Sequence, residues 1–290
     1  MTNTKQSFKD KWENNQDLTF AETARVGSDI YTWILTRNGF ADGDALARFL
    51  AEKKRILDAG CGNGRVTNLL RQYAPPSCPI VGIDLVSADI ARSNLSHLPN
   101  IDIHAGNIME PLDDLGTFDF IYCQEVLHHT ENPKAAFLNL CHILGPGGEI
   151  AIYVYKKKGP AREFADDYIR NQISHLSYDE AMKAVSQIAA LGERLHDLHI
   201  EFDAPAVDVL EIPAGRYSVQ RFIYHFFMKC FWNPDLPRQE NEAVNYDWYH
   251  PELASRHTMP EILGWFQDAG LNVTHQYVDF YGITVRGKKN

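Results

Sequence analysis

The residues with the clearest chemical potential in this 290-residue chain lie between Arg55 and Arg65. The run Arg55-Ile-Leu-Asp-Ala-Gly-Cys-Gly-Asn-Gly-Arg65 reads as a strand, a glycine-rich turn and the first residue of a helix. Gly60, Gly62 and Gly64 let the backbone turn tightly and approach a ligand with no Cβ in the way. The helix start presents unpaired N–H groups to negative charge. Twenty positions beyond Gly64 the next apolar run ends in Asp84, where a carboxylate can accept both ribose hydroxyls of an adenosine. The glycine spacing then separates two kinds of adenosine cofactor. A dinucleotide site needs G-x-G-x-x-G over a pyrophosphate. Here the pattern is G-x-G-x-G, with Arg65 where the third glycine would fall. Asp58, two residues before Gly60, suits a ligand with an ammonium and a sulfonium better than one with two phosphates.

These residues need a scaffold, and the surrounding sequence describes one. Between 54 and 155 short apolar runs alternate with helical stretches: Arg55–Asp58, Ile80–Asp84, Ile101–Ala105, Phe118–Cys123 and Glu149–Tyr155. Such runs separated by helices imply βαβ units and a mostly parallel sheet buried on both faces. Asn132 caps one helix, Pro133 suits its first turn, and Ala136, Phe137, Leu140, Ile143 and Leu144 fall on one face. Gly-Pro-Gly-Gly (145–148) then leads into the fifth strand. Residues 157–257 lose the alternation. They read as a mainly helical insertion, with helices over 160–173 and 178–197. The spacing Thr258-x-x-Glu261 is a capping box, and 271–278 with 282–287 form an antiparallel hairpin. The expected division is a helical arm over 1–50, a cofactor domain of 51–156 with 258–290, and the insertion 157–257.

Composition narrows the class. The chain is 44% hydrophobic and 23% charged, as ordinary globular proteins are. A net charge of −10 argues against a broad nucleic-acid or anionic-membrane surface. Five scattered cysteines suggest neither a disulfide framework nor a C-x-x-C metal site. The polar start without a signal-peptide core, and the lack of a ~20-residue apolar run, point to a soluble, cytoplasmic protein.

The acidic residue followed by G-x-G-x-G resembles motif I of class I S-adenosylmethionine (SAM)-dependent methyltransferases, in the small-molecule, methyltransferase type 11-like branch. Gly106-Asn107-Ile108 is similar to that family's adenine-contacting turn, with Asn in place of the commoner Asp. Phe118 to Thr130 and Leu144 to Ile152 match its fourth strand and its turn into strand five. The resemblance implies an α/β, Rossmann-like, seven-stranded sheet, its last strand antiparallel, with helices on both faces. It implies SAM as cofactor, held by Asp58, Gly60, Cys61, Gly62, Asn63, Gly64, Asp84, Leu85, Asn107, Ile108, Cys123 and Gln124. The chemistry is then in-line displacement at the sulfonium methyl, in which the protein aligns the nucleophile and excludes water. Where the acceptor must lose a proton, candidates follow strand four: Gln124, Glu125, His128 and His129, with His129 preferred as general base and His128 beside it. On a helix, Glu125, His128 and His129 would share one face and could converge on a divalent metal. Ubiquinone-biosynthesis and small-RNA methyltransferases carry a similar E-x-x-E-H pattern there. His128 replaces the second Glu, and no metal is assigned.

Seven aromatics between Tyr217 and Trp232 either pack the insertion or line an apolar or planar acceptor site. Arg256 and His257 could orient an anionic or hydroxylated substrate, and Trp12, Tyr31 and Trp33 could form a lid over the cofactor. The expected partner is a small-molecule acceptor, of unspecified identity, methylated at O, N, C or S. A nucleic-acid amino-group methylase would carry N/D-P-P-Y/F after strand four, where this chain has Cys123-Gln-Glu-Val126. SAM chemistry other than methyl transfer, or a non-catalytic SAM-binding module, would leave the same loop. Homo-oligomerisation is open.

Overall fold

The computed structural model describes residues 3–290. By internal contacts the chain divides into two units, Trp12–Lys156 with Ser255–Asn290, and residues 3–11 with Lys157–Ala254.

In the first unit the apolar runs form β1 (Ile56–Ala59), β2 (Ile80–Asp84), β3 (Ile101–Ala105), β4 (Phe118–Gln124) and β5 (Leu144–Tyr155). The C-terminal hairpin supplies β8 (Leu271–Val278) and β9 (Gly282–Lys289). The sheet order is β3-β2-β1-β4-β5-β9-β8. The first five strands pair in parallel, and β9 is antiparallel to both of its neighbours. The reason is visible residue by residue. Leu57, Val81, Ile121, Cys123, Ile150 and Ile152 belong to one buried cluster, while Ile56, Ile80, Phe120, Tyr122 and Ala151 belong to another. Neighbours along a strand point to opposite faces, so each strand is apolar throughout.

Helices cover both faces. α7 (Pro133–His142) and α12 (Met259–Asp268) supply Phe137, Leu140, Trp265 and Phe266 to the first cluster. The Asn132 side chain accepts from the Ala135 N–H, as its N-cap position suggests. On the other face stand α3 (Asp29–Arg37), α4 (Gly43–Leu50) and α5 (Arg65–Tyr73). Residues 12–50 therefore pack into the core of the sheet unit. Tyr31 and Trp33 are not lid residues. Tyr31 is buried there with its hydroxyl 2.5 Å from that of Tyr73, and Trp33 carries the Arg37 guanidinium 3.3 Å from its ring centroid. The remaining helices of this unit are α2 (Phe20–Ala24) and α6 (Ala88–Leu95).

The second unit is built from α8 (Pro160–Ile173), α9 (Tyr178–Asp197), α10 (Val219–Phe226) and α11 (Arg238–Tyr249). The Ser177–Glu180 capping box starts α9. This unit is not wholly helical, because β6 (Glu201–Ala204) and β7 (Gly215–Ser218) form an antiparallel ribbon. The ribbon escapes the sequence pattern because only Phe202 and Tyr217 give its four-residue strands cross-strand aromatic weight; both rings reach Phe222. Asn245–Tyr249 is the last part of α11. The segment α1 (Thr4–Asn14) contributes Thr4, whose hydroxyl accepts from the Leu253 N–H, and Lys11, whose ammonium lies 2.8 Å from Asp247. Among the described residues no helix is long and apolar enough to cross a membrane.

Candidate active site

The carboxyl ends of β1, β2 and β4 carry the glycine loop, Asp84 and the Gln124–His129 turn. Gly60, Gly62 and Gly64 have φ of 82°, 57° and 88°, a region that favours glycine. Space decides as well: a Cβ on Gly62 would stand 2.9 Å from the Trp12 ring, and one on Gly64 would stand 2.7 Å from Leu95. Of the three aromatics expected over the cofactor loop, Trp12 is the one that meets it. Four of the loop's donors are closed internally. Gly60 and Cys61 N–H donate to the Ile83 carbonyl, Gly64 N–H to that of Cys61, and Gly62 N–H to Asp84 Oδ2 at 3.0 Å. The N–H groups expected to face an anion are those at the start of α5, where Arg65 N–H donates to Asn63 Oδ1 at 3.3 Å. Asp58 takes that place instead. It is buried, accepts from Thr67 Oγ1 at 2.6 Å, and faces the first turn of α5. A protein carboxylate thus fills the position where a pyrophosphate would benefit from the helix dipole. Burial raises its pKa to about 7, with Thr67 and Arg65 opposing.

Asp84 is held by its own loop. Oδ1 accepts from Val86 N–H, Ser87 N–H and Ser87 Oγ at 2.8–2.9 Å, while Oδ2 accepts only from Gly62 N–H among the described residues. Since a carboxylate has about four lone-pair sites, capacity remains on Oδ2. Leu85 beside it is 44% exposed. Asn63 is committed elsewhere: its amide donates to the Gln16 and Leu18 carbonyls, and Asn94 donates to Gln16 and Asn63. These bonds fasten residues 16–18 to the glycine loop. Cys61, Ile108 and Cys123 bury their side chains in apolar clusters, so any ligand contact from them must come through the backbone. Asn107 Oδ1 accepts from Met109 N–H at 3.0 Å, which fixes the turn and uses one of its two lone pairs.

After β4, Glu125 adopts φ 60° and pairs with Arg65 at 2.8 Å. The following turn, Leu127–His129, is a short 3-10 segment. Glu125, His128 and His129 therefore do not share a helical face. The positive φ breaks the turn between them, and the carboxylate is drawn to Arg65. His128 is fully buried and stacked on Tyr155, ring centroids 3.7 Å apart. His129 lies 4.3 Å from His128 and edge-on to Tyr155. Gln124 accepts from the Tyr122 hydroxyl at 2.8 Å, and Tyr122 in turn accepts from Asn38 at 3.0 Å. The Gln124 Nε2 group is buried with no acceptor among the described residues.

A second network, unseen in the sequence, holds this turn. The Ser255 N–H donates to the His128 carbonyl at 2.9 Å. His257 stands between Ser255 Oγ, 2.9 Å from Nε2, and Glu261 Oε1, 2.8 Å from Nδ1. The carboxylate only accepts, so Nδ1 carries the proton; the serine hydroxyl also reaches the His128 carbonyl, to which it donates at 3.2 Å. Thr258 caps α12, but Glu261 turns to His257 instead of completing the capping box. His257 spends both ring nitrogens inside the protein, which removes it from the expected substrate-orienting pair with Arg256.

A family model described as a methyltransferase domain matches residues 35–276. The chain belongs to the methyltransferase-domain family. A trans-aconitate 2-methyltransferase of Deinococcus radiodurans is 31% identical over 100 residues, covering 34% of this chain and 37% of that relative. A ubiquinone biosynthesis O-methyltransferase of Pseudomonas aeruginosa is 28% identical over 117 residues, covering 39% of this chain and 49% of its own. The chain thus spans less than half of either relative. The N-methyltransferase NodS of Bradyrhizobium japonicum, solved with S-adenosylhomocysteine, aligns over 99% of this chain and 98% of its own at 14% identity and a TM-score of 0.50, a likeness of fold. For a methyltransferase-domain protein, the closed glycine loop and the inward Asp58 have a direct meaning. The site has little to offer a pyrophosphate.

Proposed function

We propose that this methyltransferase-domain protein transfers a methyl group from SAM to a small-molecule acceptor selected by residues 157–257. The observation that carries the reading is the glycine loop, with four N–H groups closed internally and Asp58 at the start of α5. The residues fit the cofactor on two further counts. Asp84 Oδ2 retains capacity for a ribose hydroxyl beside the exposed Leu85, and the Gln124 Nε2 donor is buried without a partner among the described residues. Two relatives are named for small molecules, trans-aconitate and ubiquinone.

SAM, when bound, supplies a methyl carbon already activated by the sulfonium. Asp84 would then hold the ribose and Leu85 cover the adenine, with Asn107 and the Ile108 backbone at its edge. Asn38 and Tyr122 orient Gln124, whose Nε2 donates to the methionine carboxylate or to the acceptor. An imidazole nitrogen of His129 takes the acceptor's proton where one is lost, and His128 with Tyr155 fixes that ring in place.

Calorimetric titration of the full chain with SAM, S-adenosylhomocysteine and NAD, repeated on Asp84→Ala, tests the cofactor. Micromolar binding of the sulfur compounds alone, weakened in the variant, is expected; NAD binding in their place would overturn it. Turnover should release S-adenosylhomocysteine, and methylthioadenosine would instead mean transfer from another arm of SAM.

A further inference from the structure

The Lys157–Ala254 part of the chain holds a buried carboxylate whose capacity is exhausted. Asp166 Oδ1 accepts from Lys229 N–H at 2.9 Å and from the Tyr249 hydroxyl at 2.8 Å. Its Oδ2 accepts from Arg162 Nε at 2.8 Å and from Trp248 Nε1 at 2.9 Å. Those four donors fill the lone-pair sites of a carboxylate. A second guanidinium lies close by. On α10, Arg221, Tyr224 and His225 stand at i, i+3 and i+4 and so share a face. The Arg162 and Arg221 guanidinium carbons lie 4.9 and 5.5 Å from the centroid of the same Tyr224 ring. Arg162 is committed to Asp166 and to the Tyr224 carbonyl. Arg221 Nη1 is buried with no acceptor among the described residues.

Two guanidinium groups around one ring repel each other, and Asp166 can balance only one of them. Leaving a buried donor of a charged group unmet costs about 1–3 kcal/mol or more. His225 reports the same field: burial first, then the charges of Arg162, Arg221 and Lys158, push its imidazole down to about 3. A chain with a net charge of −10 therefore concentrates positive charge at this place, where Arg221 Nη1 meets no acceptor among the described residues.

We propose that Arg221, with Arg162, Tyr224 and His225, binds one oxyanion, a carboxylate or phosphate group; this does not rest on the methyltransferase reading. Arg221 is the group that recognises the anion, through the fork of N–H donors that matches either oxyanion.

The test is calorimetric titration of the full chain with malonate and, separately, with inorganic phosphate at low ionic strength. One saturable site is expected for at least one of them, and the tighter arm tells a carboxylate from a phosphate. Arg221→Gln should weaken it by about tenfold or more, the equivalent of about 1.4 kcal/mol. Arg221→Lys, which keeps the charge and loses the fork, should weaken it by a smaller factor and serves if the Gln variant does not fold. Arg216→Gln, at an exposed arginine paired with Glu201, should bind as the wild type does. No saturation by either anion, or wild-type affinity in the Arg221 variants, overturns the proposal. S-adenosylhomocysteine titrated into the same samples separates the two readings. If it binds and the anions do not, the oxyanion site falls alone. If the anions bind through Arg221 and it does not, the methyltransferase reading falls alone.

Discussion

Two buried aspartates, one in each unit, both meet desolvation and end with pKa values shifted in opposite directions. Around Asp58, burial dominates, the Thr67 hydroxyl is a single short donor, and the carboxyl titrates near neutrality, at about 7. Around Asp166, burial also pushes upward, but the Arg162 charge and the bonds from Lys229 and Tyr249 outweigh it and hold the carboxyl below its ordinary range. The lesson concerns donors, not depth. A carboxylate ringed by four donors becomes a permanent structural charge, while one given a neutral hydroxyl stays a group that changes state. The sheet unit keeps the changeable one beside the cofactor loop, and the unit containing Lys157–Ala254 spends its own to pin α8, α11 and the Lys229 backbone together.

The difference should be largest on removing charge. Asp166→Asn leaves Arg162 buried without its counter-ion and should cost about 3–5 kcal/mol in denaturant unfolding; a loss under about 1 kcal/mol would mean that the two aspartates are not different in kind. Asp84→Asn comes next. It removes the charge offered to the ribose and turns one acceptor of the loop into a donor, so affinity for S-adenosylhomocysteine should fall by about 2 kcal/mol, roughly thirtyfold, as calorimetry would read.

Asp58 gives an effect with a distinctive sign. Its pKa is raised from 3.8 to about 7. Between those values the folded chain keeps a proton that the unfolded chain has released. The contribution is therefore fully present below about pH 4 and is lost as pH rises through about 7, with a slope of up to about 1.4 kcal/mol per pH unit. Asp58→Asn should remove that slope, so the variant gains on the wild type between pH 5 and pH 8 in parallel unfolding curves. Equal curves at both pH values would place Asp58 with Asp166.

The same contrast governs what the sequence could reveal. The strands were legible because burial on both faces makes each a continuous apolar run, and Asn132-Pro133 announced its helix through local capping alone. The glycine loop was legible because positive φ at three positions admits little else. Its donors were not, since they close on Ile83, Cys61 and Asp84, groups that folding alone brings together. Glu125 misled for a local reason: its left-handed backbone takes it off the face that i, i+3 and i+4 spacing implies for His128 and His129. The ribbon at Phe202 and Tyr217, and α11 starting from Pro237 without a side-chain cap, lack the punctuation that made other elements readable. Arg221 carried no signal at all, because its meaning depends on Asp166 being already saturated.

The smallest effect falls on the Ser255–His257–Glu261 chain. The Ser255 backbone N–H already holds the His128 carbonyl, so Ser255→Ala removes only the hydroxyl shared between that carbonyl and His257 Nε2. Stability should drop by about 1 kcal/mol or less, the net worth of one hydrogen bond whose remaining partner is only partly stranded. His257→Ala should cost more, because it also leaves the edge of Trp265, 4.9 Å away, against an empty space. Thermal unfolding of the two variants, read beside affinity for S-adenosylhomocysteine, separates support from binding. If Ser255→Ala lost as much as His257→Ala, the hydroxyl rather than the ring would be holding the His128 turn, and the contrast between saturated and changeable groups would extend to this third network.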